Sequence, residues 1–304
     1  MMRPGLPLSP RMSDQVVTAA ILWPALAMIL LFMVAPVAIM AVYSFLEPAT
    51  YGGVVWNFSN AGYEQILFER DFLSDELVFS TDYLWILWRS VVQAAVATLL
   101  CLLISVPTAY FIATRPPYSK TMWIYLITIP YWVNLLIRTI ALLFILRDDG
   151  PINATVMATG LTDVPLPLSY NSFAIGLGLV YSFLPFMVLP LYSAFERFDF
   201  KLLEAAYDLY ASRRVAFFRI VLPVMRPGLI AGSLLVFIPA IGSYLAPDIL
   251  GGGKTLMIGN LIGTQFQGAR NWPFGAALSM ILLTMTLLVL IWMARRSARS
   301  RQHG

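Results

Sequence analysis

Apolar positions along this chain fall into long blocks separated by short charged stretches. The blocks run at about Val16–Leu46, Ser90–Thr114, Thr121–Leu146, Ser172–Phe195, Gly228–Asp248 and Phe274–Ala294. A helix needs about 20 apolar residues to cross a bilayer, so the pattern predicts six membrane-spanning helices. Residues 1–15 form a short N-terminal tail, and 16–304 a single transmembrane domain. The first block far exceeds the about 7–15 apolar residues of a signal peptide's core, so it is read as a retained span. Pro36, Pro107, Pro130, Pro185, Pro190 and Pro239 lie in or beside the spans, where each removes a backbone donor and can bend a helix. Gly176, Gly178, Gly232 and Gly242 supply small contact faces.

Composition agrees with this pattern. Hydrophobic residues make up 59% of the 304 and charged residues only 12%, half the share of a soluble domain. Mean hydropathy is +0.77. The fold class expected is all-α, polytopic. Cys101 is the only cysteine and lies in an apolar run; His303 is the only histidine and lies in the tail. A disulfide within the chain and a Ser-His-Asp triad are therefore excluded, as is a histidine-based metal site.

The net charge of +4 is small, but its distribution sets orientation. Arg3, Arg11, Arg115, Lys120, the Arg197–Arg226 loop and the C-terminal Arg295, Arg296, Arg299 and Arg301 all fall on one side if the spans alternate. That side is cytoplasmic by the positive-inside rule, which places both termini there. The opposite loops are acidic, with Glu47, Glu64, Asp75, Glu76, Asp148, Asp149 and Asp163 among them. Trp56, Tyr83, Trp85, Trp88, Trp123 and Trp272 fall near the span edges, as an aromatic belt requires.

Gly251-Gly252-Gly253-Lys254-Thr255 looks like the end of a phosphate-binding loop, but Asp248 stands where that motif needs its first glycine. It reads as an outer turn. Asn57 and Asn153 begin glycosylation-type triplets, which carry no weight alone. Arg138 lies within the third span, where an ionisable group either faces a cavity or snorkels to the interface. Asp248, at the end of the fifth, is a second candidate for the pathway or a helix-end turn residue.

The loop from 196 to 227 is far longer than a bare connection needs. In it Glu204-Ala205-Ala206 is followed, after three residues, by Tyr210, and after nine more by Ile220, then Leu222-Pro223. This closely resembles the Glu-Ala-Ala loop of ABC importer permeases, except that Tyr210 replaces the family glycine. Pro130 to Arg138, Gly178-Leu179-Val180-Tyr181 and Arg270-Asn271-Trp272-Pro273-Phe274-Gly275 resemble the spermidine/putrescine permease subfamily, and its first, B-type permease in particular. The resemblance covers about two thirds of the chain.

It implies the type I (MetI-like) permease fold. It also implies a loop that couples to a cytoplasmic ATPase through Glu204, Ala205, Ala206, Tyr210, Ala211, Ser212, Ile220, Leu222 and Pro223. The partners implied are a second similar permease, two ATPase subunits and an extracytoplasmic binding protein, in the lipid bilayer of a bacterial inner membrane and with no nucleic acid. ATP and magnesium would bind the ATPase, leaving this chain without a cofactor, a metal or catalytic residues of its own. Polyamines are the substrate first expected, with Trp132, Asn134, Arg138, Tyr181, Tyr244, Asp248 and Trp272 as pathway candidates. Ser243 stands where some relatives carry glutamate, and Arg138 could serve an anion instead, so other amines, opines, amino-acid derivatives and phosphonates stay open. An intramembrane enzyme lacks a catalytic set in the spans. A stand-alone carrier stays open as a distant alternative, which co-purification of an ATPase subunit would discriminate.

Overall fold

A computed structural model describes residues 22–70 and 77–301; the N-terminal tail, the start of the first predicted span and His303 lie outside them. Among the described residues, five helices are long and apolar enough to cross a membrane, and a bent pair makes a sixth when counted as one broken span.

Three helices form the core: α3 (Asp82–Ala113), α7 (Ser172–Glu196) and α9 (Arg213–Ile241) pack against one another in all three pairs. The sequence dictates this through small residues at helical spacing. On α3 the buried stripe is Ser90, Ala94, Ala97, Cys101, Ser105 and Ala109; on α9 it is Val221, Met225, Gly228, Gly232, Val236 and Ala240. Lipid tails are as apolar as leucine, so close packing of small residues holds such helices together. At Gly232 an added Cβ would lie 2.7 Å from Met187 Sδ, and at Gly228 one would lie 2.8 Å from Ala194 Cβ.

The edges of these helices differ from the predicted spans. α3 begins eight residues before Ser90, because Tyr83, Ile86 and Leu87 continue its apolar face. α9 begins inside the charged loop rather than at Gly228, and stops at Ile241; Leu245–Leu250 is a separate helix, α10. The extension forms because Ala216, Val221 and Met225 carry the buried stripe backwards while Arg213, Arg214, Arg219 and Arg226 stay outside.

The predicted third span is not one helix. α4 (Pro117–Trp132) and α5 (Leu135–Leu146) meet at a 92° bend, with α6 (Pro151–Ala158) continuing the second arm. Val133 is extended, and Asn134 caps α5 by accepting a 2.8 Å bond from Leu136 N. Pro130, four residues before Asn134, weakens the end of α4 by withholding its donor.

α1 (Leu22–Tyr43) packs on α12 (Trp272–Arg301), and none of its most apolar stretch is buried within the chain. After α1 come features the sequence reading did not resolve. Strands β1 (Leu46–Pro48) and β2 (Val54–Phe58) pair antiparallel, as do β3 (Phe68–Arg70) and β4 (Leu77–Phe79), with the single turn α2 (Ala61–Glu64) between the hairpins. This cap is tied down where Tyr63 Oη donates to Ser44 Oγ at 2.9 Å and Asn271 Nδ2 to Gln65 Oε1 at 3.0 Å. At the same end, Ser90 Oγ accepts from Ile258 N at 2.8 Å, and Arg89 donates to the Leu256 carbonyl through Nε and Nη2. Both contacts hold α11 (Ile258–Gln267) against α3.

Two π turns, Leu30–Val34 and Phe217–Val221, each end two residues before a proline, Pro36 and Pro223. In each the residue before the proline bonds five residues back: Ala35 N to the Leu30 carbonyl, and Leu222 N to that of Phe217. A proline ring clashes with the carbonyl four residues earlier, and the wider turn gives that carbonyl room.

Candidate functional site

Two places concentrate features that packing alone does not require. The first is the 196–227 loop. Helix α8 (Lys201–Asp208) lies across the end of the core, with Leu203 and Ala206 buried and Glu204 and Ala205 exposed. Phe195, Phe198 and Val221 belong to the same buried cluster as its inner face, and half-buried Phe217 packs against it. The outer face adds Leu202, Tyr207, Leu209 and Tyr210, all exposed, as are Val215 and Phe218 on α9. Ser212 caps α9 by accepting from Val215 N at 3.4 Å. Ala211 and Ile220 are half-buried, and Pro223 is exposed beside half-buried Leu222.

Tyr210, standing where the resemblance expects glycine, has φ +59°, in the left-handed region that glycine enters most readily. Ala211 N bonds the Ala206 carbonyl at 3.0 Å and Tyr210 N that of Tyr207 at 2.9 Å, which is a Schellman closure of α8. The left-handed conformation costs a non-glycine residue about 1–2 kcal/mol. At 98% exposure the tyrosine ring recovers little from this chain. We expect Tyr210→Gly to leave stability unchanged or raise it by about 1 kcal/mol, after glycine's own entropy loss of about 0.5–1 kcal/mol. Tyr210→Val should lose about 1–2 kcal/mol, since a β-branched residue suits positive φ least. Thermal unfolding in detergent checks both.

The second place is a cavity of about 960 Å³ where the third span breaks. Its walls come from the α4–α5 corner, α7, α9 and, through Leu290, α12, and include Trp132, Arg138, Phe186, Leu235 and Pro239. Its lining is mostly apolar and it opens to one side, where Trp132 is 76% exposed. Arg138 is 6% exposed, so it does not snorkel to the interface. Its Nη1 donates to the Pro130 carbonyl at 3.3 Å, and its guanidinium carbon lies 5.5 Å from the Tyr131 ring centre and 5.6 Å from that of Tyr181. Its Nε has no hydrogen-bond partner. Two ring faces offset about 0.5–2 kcal/mol each, against several kcal/mol to bury a guanidinium.

The break thus brings together Trp132, Asn134 and Arg138, with Tyr181 against the arginine. It leaves out the other three pathway candidates. Tyr244 precedes α10, and its ring packs so closely on Gly263 that a Cβ there would lie 2.5 Å from Cε2. Asp248 is exposed on α10, and its backbone N–H returns to the Tyr244 carbonyl. Trp272 stacks on Tyr43 at 6.4 Å and packs on Phe266 at 6.5 Å, joining α1 to α12. Sequence reasoning missed the α9 wall; Pro239 was noted only as a kink, and nothing in a uniformly apolar helix marks which face meets a cavity. The glycine-rich stretch is a turn with Gly252 and Gly253 at φ +57° and +73°.

Residues 77–302 match the family model described as binding-protein-dependent transport system inner membrane component. The spermidine/putrescine transport system permease protein PotB of Escherichia coli (strain K12) is 44% identical over 216 residues, covering 70% of this chain and 78% of that protein. Its namesake in Haemophilus influenzae is 40% identical over 216 residues, covering 71% and 76%. Among solved structures, a chain of the bacterial alginate ABC transporter in complex with alginate pentasaccharide-bound periplasmic protein superposes with a TM-score of 0.73. The two chains are 15% identical, with 95% of this chain and 98% of that chain covered, so the likeness speaks for the fold. The long apolar helices and the broken third span fit these matches: the chain belongs to the binding-protein-dependent transport system inner membrane components, as a multi-pass permease of the ABC importer type.

Proposed function

We propose that this chain is one of two permeases in an ATP-driven importer of polyamines, and that it forms half of the translocation pathway. The substrate reading is carried by the 44% identity, over 216 residues, to a permease named for spermidine and putrescine. The cavity fits such a substrate in kind: Tyr131, Trp132, Phe183 and Phe186 present faces and edges to a methylene chain, and Trp132 is free to meet an ammonium group.

The α8 end faces the cytoplasm, because the arginines of the loop lie there. Glu204, Ala205 and the exposed residues around Tyr210 seat on an ATPase subunit that binds ATP and magnesium. A similar second permease, a second ATPase subunit and an extracytoplasmic binding protein complete the assembly.

Spermidine uptake into proteoliposomes holding the whole importer tests the reading. Putrescine should compete and a dicarboxylate or phosphonate should not; the reverse pattern would reject a polyamine substrate. Trp132→Ala should raise the half-saturating spermidine concentration by roughly threefold, the loss of one ring contact at an exposed site.

A further inference from the structure

We propose that Arg138 is the fixed cation of an ion pair that closes across the cavity, its carboxylate supplied by the second permease. The proposal rests on the reading of this chain as one of two permeases.

Arg138 is more than nine-tenths buried and lines the cavity, with Nε unpartnered. A guanidinium carries five N–H donors. This chain offers it one acceptor among the described residues, the Pro130 carbonyl, and two tyrosine rings. Arg138 also stands in the first turn of α5, a 12-residue helix whose N-terminal dipole adds positive potential at the same point. The site is therefore built for an anion.

Depth and charge decide which anion. Ser182 lines the same cavity, and it lies ten residues from one end of α7 and fourteen from the other. At 1.5 Å per residue that is roughly 15–20 Å from either end, beyond the reach of lipid phosphates. A small inorganic anion would have to shed its water in an apolar cavity. A polyamine brings only positive charge. A protein carboxylate on the facing permease meets all three limits. The rim it would approach over is apolar and exposed: Trp132, Val133, Leu135 and Leu235.

The test is a charge-pair cycle in the complete importer. Each membrane-embedded Asp and Glu of the second permease is changed to Asn or Gln, in the native and the Arg138→Gln backgrounds. Complex recovered in mild detergent and transport are both read. Arg138→Gln alone should lower complex yield and transport by roughly tenfold, and one partner variant should do the same. Their combination should return to within about threefold of the native level, since neither charge is then stranded. Arg138→Lys keeps the charge without the fork and should retain yield better than Arg138→Gln.

The absence of any compensating carboxylate overturns the proposal. So does recovery of Arg138→Gln that depends only on anionic lipid, or Arg138→Gln selectively abolishing competition by an anionic solute, which would assign the site to lipid or to substrate. Complex yield is independent of substrate, so a wrong polyamine reading leaves this result intact.

Discussion

Replacing Glu204 by Lys, or Ala205 by Trp, should leave this permease folded and inserted but cut substrate-stimulated ATP turnover and uptake by roughly a hundredfold. Both side chains are exposed on α8, while Leu203 and Ala206 hold the helix to the core. A surface change of this kind costs the chain about 0.5 kcal/mol or less. At the seat of a partner subunit the same change acts on a desolvated contact, where a central residue carries about 2–3 kcal/mol. Reversing a charge or inserting an indole there separates stability from coupling. Wild-type stimulation of ATP turnover and normal uptake in both variants would remove α8 from the coupling role.

The largest effect on stability should come from Gly232→Val. Its Cβ would lie 2.7 Å from Met187 Sδ and 3.3 Å from the Met187 carbonyl oxygen. A thioether can move aside, but the carbonyl belongs to α7 and cannot without shifting the helix. Gly232→Ala should thus lose about 1 kcal/mol, and the branched valine about 3 kcal/mol or more, enough to part α7 from α9. Gly242→Ala is the control, since a Cβ there meets nothing closer than 3.9 Å. Recovery of monodisperse protein after mild heating ranks the three; equal recovery of Gly232→Val and Gly242→Ala would contradict tight packing at this crossing.

Helix type and the long loop were legible because each is written in local residues: apolar runs on one side, charged residues at fixed spacing on the other. Tyr210 was harder. A tyrosine gives no sign of positive φ, and only its register with the family glycine does; the Ala206 and Tyr207 carbonyls then impose that conformation. The bend at Val133 was hidden because Leu135 to Leu146 is as apolar as the residues before it. Its markers are single residues, Pro130 and Asn134, and a cap inside an apolar run is easily read as a polar interruption. The burial of Arg138 depends on rings from α4 and α7, whose meeting is a matter of tertiary packing. Tyr244, Asp248 and Trp272 carry the right chemistry for a pathway, but their positions are fixed by packing away from the break in the third span, which spacing along the chain does not report.

The π turn at Phe217–Val221 sits between the charged start, Arg213–Ala216, and the apolar length of one continuous helix. One residue in an α-helix is worth 100° of rotation and 1.5 Å of rise, and a π turn is the form in which one extra residue is absorbed. The chain therefore carries a phase adjuster at the base of α9. The angle at which Arg213 and Arg214 are presented is set there, separately from the angle at which Gly228 and Gly232 meet α7. Gaining or losing one residue at this point would turn the charged start of the helix about its axis without disturbing the packing of the length beyond it.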